Sequence, residues 1–169
     1  MTVRKVDDQS SSTSVSNTVA ETAIGSMALP VWGLQTTGGM RFGFGGTILN
    51  TTATATLTFR GKLAQTGGST FTVLESSAIA LTTSTKPRFW WCGGTVLANG
   101  TASQKIWGGV QITHPSTRKL APGAYAAIGL STAGVDQSLV VIASVTAQFS
   151  AASANLSVTR EFSVLESVR

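Results

Sequence analysis

From Thr54 to Leu63 the chain alternates without interruption. Ala55, Leu57, Phe59, Gly61 and Leu63 fall on one side, and Thr54, Thr56, Thr58, Arg60 and Lys62 on the other. A helix cannot satisfy a period of two, because its faces repeat about every 3.6 residues. A strand satisfies it with one face on a core and the other in water, the usual condition in an antiparallel sheet. Met40, Phe42 and Phe44 alternate with Arg41 and Gly43 in the same way. The intervening Asn50-Thr51-Thr52 predicts a turn that joins the two runs as a hairpin.

The same reading extends to the end of the chain. Strands are predicted over 71–81 (broken at Glu75-Ser76-Ser77), 88–97, 105–113, 139–149 and 155–168. Asn99-Gly100 is a strong hairpin signal between the second and third of these. His114-Pro115 ends the third, and Pro122-Gly123 leads into a short edge strand. In the last strand Leu156, Val158, Phe162 and Val164 are expected inward. The pairs Gly45-Gly46, Gly67-Gly68, Gly93-Gly94 and Gly108-Gly109 read as bulges or turns. No segment has a convincing helical period. The fold expected over residues 20–169 is an all-β antiparallel sandwich, an eight-stranded jelly roll. No Cys–Trp–Cys spacing suggests an immunoglobulin domain.

Composition says what such a sandwich meets. Charged residues are 11% of the chain, less than half the ~25% typical of soluble domains. A membrane is excluded as the reason, since no run of about 20 apolar residues exists. Surface covered by other protein is the remaining reading. The net charge of +5 comes from few acids, and the bases are dispersed, so no nucleic-acid patch forms. No secretory signal is visible at the N-terminus. Residues 1–19, with the polar run Gln9-Ser10-Ser11-Ser12-Thr13-Ser14, lack core-forming side chains and are expected as a flexible N-terminal arm. Thr2, Val3, Arg4, Lys5 and Val6 are its candidate contacts to a partner chain.

Catalytic chemistry finds little to work with. The seven acids form no evident pair, and His114 stands alone at a strand end. No G-x-S-x-G elbow, phosphate-cradling glycine motif or metal-ligand cluster occurs. The chain is expected to be no enzyme and to hold no cofactor and no metal. Cys92, the sole cysteine, reads as a buried thiol. Of the adjacent Trp90 and Trp91, one must face the core and the other outward. Trp90 and Trp107 are candidates for an exposed aromatic at a subunit interface or under a sugar. Arg160 shares parity with Val158 and Phe162. Either a bulge shifts the register there, or Arg160 meets an acid at a subunit contact.

Glu21-Thr22-Ala23-Ile24 leading to Leu29-Pro30, then Gly38-Gly39-Met40-Arg41-Phe42, resembles the opening of small jelly-roll virion proteins of tailed bacteriophages. Asp136-Gln137-Ser138-Leu139-Val140-Val141 and Ala147-Gln148-Phe149-Ser150 are similar to their closing strands. The resemblance implies a decoration (cement) protein on the outer face of the capsid, made in the host cytoplasm. It implies the major capsid protein as partner and a homo-oligomer, in many cases a trimer. The alternative it carries is a tail-fibre module that recognises a host glycan. Neither a nucleic acid nor a membrane is an expected partner.

Overall fold

A computed structural model describes residues 3–9, 11–29, 38–51, 54–98, 103–113, 126–136 and 138–168, of which 3–9, 126–133 and 168 by backbone alone. Twelve strands run through them: β1 (Val3–Gln9), β2 (Thr13–Ser16), β3 (Thr22–Leu29), β4 (Gly39–Asn50), β5 (Ala55–Gln65), β6 (Thr70–Glu75), β7 (Ile79–Leu81), β8 (Ser84–Ala98), β9 (Gln104–Ile112), β10 (Ala126–Ala133), β11 (Val141–Phe149) and β12 (Leu156–Val168). No helix occurs among the described residues.

They form two antiparallel sheets. The larger has the order β1-β12-β4-β8-β9-β10, with β2 also on β12; the smaller has the order β3-β11-β5-β6, with β7 also on β5. β1 and β2 follow one another along β12, so they act as one interrupted strand. Eight principal strands then pair first with last, second with seventh, third with sixth and fourth with fifth. That is a long antiparallel ribbon rolled up on itself, the jelly roll. β9 and β10 extend the larger sheet beyond this core of eight, and β7 is a short addition beside β6.

The expected alternations place the core. Ala55, Leu57, Phe59 and Leu63 of β5 are buried, as are Met40, Phe42 and Phe44 of β4. Phe59 stacks on Trp90 at 4.8 Å between ring centroids, joining the two sheets. Each such large side chain contributes about 1.5–3 kcal/mol by leaving water. Cys92 is buried with them, which pushes its thiol up from 9.0 to about 12.

Three expectations are corrected. β4 and β5 lie in different sheets, so the chain passes from one sheet to the other after Asn50 and the expected hairpin does not form; Thr52 of that turn lies outside the described residues. Asn50 itself is buried and donates to the Leu81 carbonyl at 3.0 Å, tying this crossing to β7. The expected flexible arm supplies β1 and β2, which pair with β12 over Val3–Gln9 and Thr13–Ser16. Its composition misleads because strand addition is made by backbone groups, and the edge of β12 offers a row of them. The glycine pairs 93–94 and 108–109 sit face to face inside β8 and β9, with no register shift between those strands. Gly67-Gly68 is a turn as expected, with Gly67 at φ 73°.

The last strand holds a bulge. The register of β12 against β4 shifts between Arg160 and Phe162, leaving Glu161 as the extra residue. Beyond it the parity inverts. Ser163 and Leu165 point inward, Phe162 is exposed and Val164 is only partly buried, so Phe162 and Val164 leave the inward face predicted for them.

Candidate functional site

The outer faces of the two sheets differ. On the smaller sheet, Glu21 before β3 sits 2.5 Å from Lys62 and 3.4 Å from Arg60, and Arg60 reaches Glu75 at 3.1 Å. Thr146 Oγ1 donates to Glu21 at 2.6 Å, and Arg60 donates to the Gln148 side chain at 2.8 Å. Burial alone would raise the Glu21 carboxyl, but hydrogen bonds from Lys62 and Thr146 with the charges of Lys62 and Arg60 outweigh it and hold the group below its ordinary value. This is a face built for water.

The larger sheet presents glycine and aromatic rings instead. Register fixes the rows. Phe162 lies opposite Gly45, Gly45 opposite Trp91, and Trp91 opposite Gln111. The next row runs Val164, Gly43, Gly93, Gly109. The rings rest on this glycine floor. A Cβ on Gly45 would stand 2.3 Å from Phe162 Cζ, and one on Gly43 would stand 3.0 Å from Trp91 Nε1. Phe89 and Phe162 are each 46% exposed and flank a hollow of about 320 Å³ lined also by Gly46, Trp91, Gln111 and Glu161. Glu161, the bulged residue, accepts a hydrogen bond from Thr47 Oγ1 at 2.8 Å.

At the other end of the face Trp107 is 69% exposed, with Lys105 exposed on the same side of β9. Thr95 lies opposite Trp107, and an ion pair between Arg41 and Glu166 at 3.6 Å completes that row. Trp107 therefore points away from Ile106 and Ile112, which are buried.

The other candidates from the sequence fall elsewhere. Trp90 is 3% exposed, a core residue whose Nε1–H donates to the Thr159 carbonyl at 3.1 Å, so it is no interface group. Its neighbour Trp91 is the one that faces out. Arg160 also points inward, at 4% exposed. The bulge follows it and leaves it on the core side. Nε donates to the Ile24 carbonyl at 3.0 Å, and the terminal nitrogens donate to Thr13, Ser163 and Ser11 hydroxyls at 3.1, 3.3 and 3.4 Å. It is held inside its own domain by hydroxyl and carbonyl oxygens, and it ties β12 to β3 and to the N-terminal segment. Thr2 lies outside the described residues. Val3, Arg4, Lys5 and Val6 are in β1, described by backbone alone. Among the described residues no group of His, Cys, Asp and Glu could hold a metal.

Phe89, Trp91 and Phe162 were not singled out by the sequence. Phe162 is hidden from it by the bulge: the parity of Arg160 raises a bulge there, but does not say that the register shifts after Arg160 and turns Phe162 outward. The glycines of β4, β8 and β9 were the available signal, since glycine inside a strand marks a close approach as well as a bulge.

No family model matches the chain, and no curated protein does. Among solved structures it is similar to a chain of the infectious bursal disease virus Gx strain, at 12% identity and a TM-score of 0.37, over 99% of this chain and 40% of that one. The chain thus spans about two fifths of the length of that neighbour.

Proposed function

We propose that this chain is a non-enzymatic structural protein of a virion, a decoration protein seated on the outer face of a bacteriophage capsid. The observation that carries the reading is the contrast between the outer faces of a jelly roll. One is covered by an ion-pair network, while the other exposes Phe89, Phe162 and Trp107, with the Phe162 and Trp91 rings lying on glycines. Contiguous apolar surface of that kind belongs against other protein. The jelly-roll strand order and the resemblance to phage virion proteins support a capsid protein as partner. The larger sheet offers two surfaces, its aromatic face and the outer edge of β1. The edge fits strand addition by the major capsid protein, with Arg4 and Lys5 close at hand. Binding only to the assembled shell would stabilise it by mass action.

A glycan site of a tail fibre is the second reading, because aromatic rings and the Gln111 amide share one hollow. The predominance of apolar groups around that hollow favours a protein side chain. Purified protein mixed with undecorated heads should sediment with them and raise the temperature at which the shell opens. Protein that stays in the supernatant at every concentration would overturn the reading, and binding to host-surface polysaccharide instead would favour the fibre.

A further inference from the structure

The two ends of the aromatic face fit one another. At one end Trp107 projects as an apolar knob, with Lys105 exposed two residues away on the same side of β9. At the other end, about 13 Å along β9 at ~3.3 Å per residue, lies the hollow walled by Phe89, Trp91 and Phe162, with the Glu161 carboxylate at its rim. The knob is an aromatic ring with a cation on its side of the strand, and the hole is a set of aromatic rings beside an anion.

Knob and hole lie on one surface. A two-fold axis in the plane of contact, crossing midway between them, exchanges the two. Trp107 of each copy then enters the hollow of the other, and Lys105 of each comes to Glu161 of the other. We infer that the occupant of this face is a second copy of the chain, joined in a two-fold dimer by reciprocal Trp107 contacts. Such an interface is self-complementary, whereas a three-fold contact joins two different surfaces of each copy. The face thus favours a pair over the trimer that the resemblance implies. Trp in a pocket with a polar rim is the usual form of an interface hot spot. The inference rests on the reading that this face is a protein contact, and it leaves the β1 edge for the shell.

The full-length chain at micromolar concentration should sediment at twice 17.4 kDa. Trp107→Ala should weaken the pair by at least ~30-fold, as loss of a hot spot does, with its circular dichroism unchanged. Lys105→Glu and Glu161→Lys should each weaken it, and the double exchange should restore most of the loss. A wild-type chain that stays monomeric would overturn the inference. So would a trimer or dimer indifferent to Trp107→Ala, or a double exchange that fails to rescue. If the monomer still binds undecorated heads and Trp107→Ala abolishes that binding, the face meets the capsid. The dimer then falls while the decoration role stands. A monomer that binds no heads removes both.

Discussion

Gly45 has no side chain because Phe162 fills the space that one would need. Gly45→Ala should therefore displace a ring that can swing into solvent. At Gly93 a Cβ would meet the Phe42 carbonyl oxygen at 2.4 Å, and backbone cannot yield in that way. Overpacking costs about 1–3 kcal/mol. Gly45→Ala should fall near the lower end and Gly93→Ala near or above the upper one, compared by urea unfolding. Equal costs would show that the rings do not lie on the floor as described. Arg160 carries a different load. Arg160→Met keeps the volume but strands the Ile24 carbonyl and the Thr13 and Ser163 hydroxyls, at about 1–3 kcal/mol for an unsatisfied buried group. A loss of roughly 2–4 kcal/mol is expected from the same unfolding curves. A neutral result would mean that water takes over those partners. Cys92 titrates in the folded state near 12, above its ordinary 9.0. The sign follows from which form the fold favours. The neutral thiol is favoured, so its contribution to stability is complete below about pH 9 and is lost as pH rises toward 12. Cys92→Ala should flatten the fall in stability across that alkaline window, and an unchanged slope would assign the fall to other groups.

Among the elements, the N-terminal segment separates what sequence can and cannot say. Strands with a core face were legible, because β5 and β11 alternate in side-chain chemistry over most of their length. β1 and β2 were not, because Arg4, Lys5, Asp7 and Asp8 record nothing about the backbone pairing that holds Val3–Gln9 to β12. The crossing from β4 to β5 was misread for a related reason. A short polar turn looks the same whether it closes a hairpin or passes between sheets. Deleting residues 2–9 should remove an edge strand and lower Tm by at least about 4 °C, since lost hydrogen bonds of ~0.5–1.5 kcal/mol each outweigh the ~1 kcal/mol that moves Tm by 2–4 °C. An unchanged Tm by calorimetry would mean that β1 is loosely attached. The Glu21 cluster links the approach to β3 with β5 through Lys62 and Arg60. Its carboxyl lies below the ordinary value, so its contribution is present above that value and is lost as pH falls through the folded one. Lys62→Met should reduce the difference in stability between neutral and acid pH, and an unchanged difference would leave this pair without weight.

At the scale of the whole molecule, a low charge content became a statement about one face. Few charged residues point to covered surface, but composition does not say which face carries the exposed rings. The bulge at Glu161 and the aligned glycines set that face, and both depend on register between strands far apart in sequence. Trp107 was legible as an outward candidate because parity with Ile106 suffices for a strand without a bulge. The hollow it would fill was not legible, since Phe89, Trp91 and Phe162 come together only when β12, β4 and β8 are placed side by side. The central claim is that this face lies against protein in an assembled particle. An electron cryomicroscopy map of virions that carry the chain tests it most directly. The account predicts jelly-roll density on the outer surface of the head, with the Trp107 and Phe162 face covered by protein. Density confined to the tail, or a head-bound domain with that face open to solvent, would contradict it.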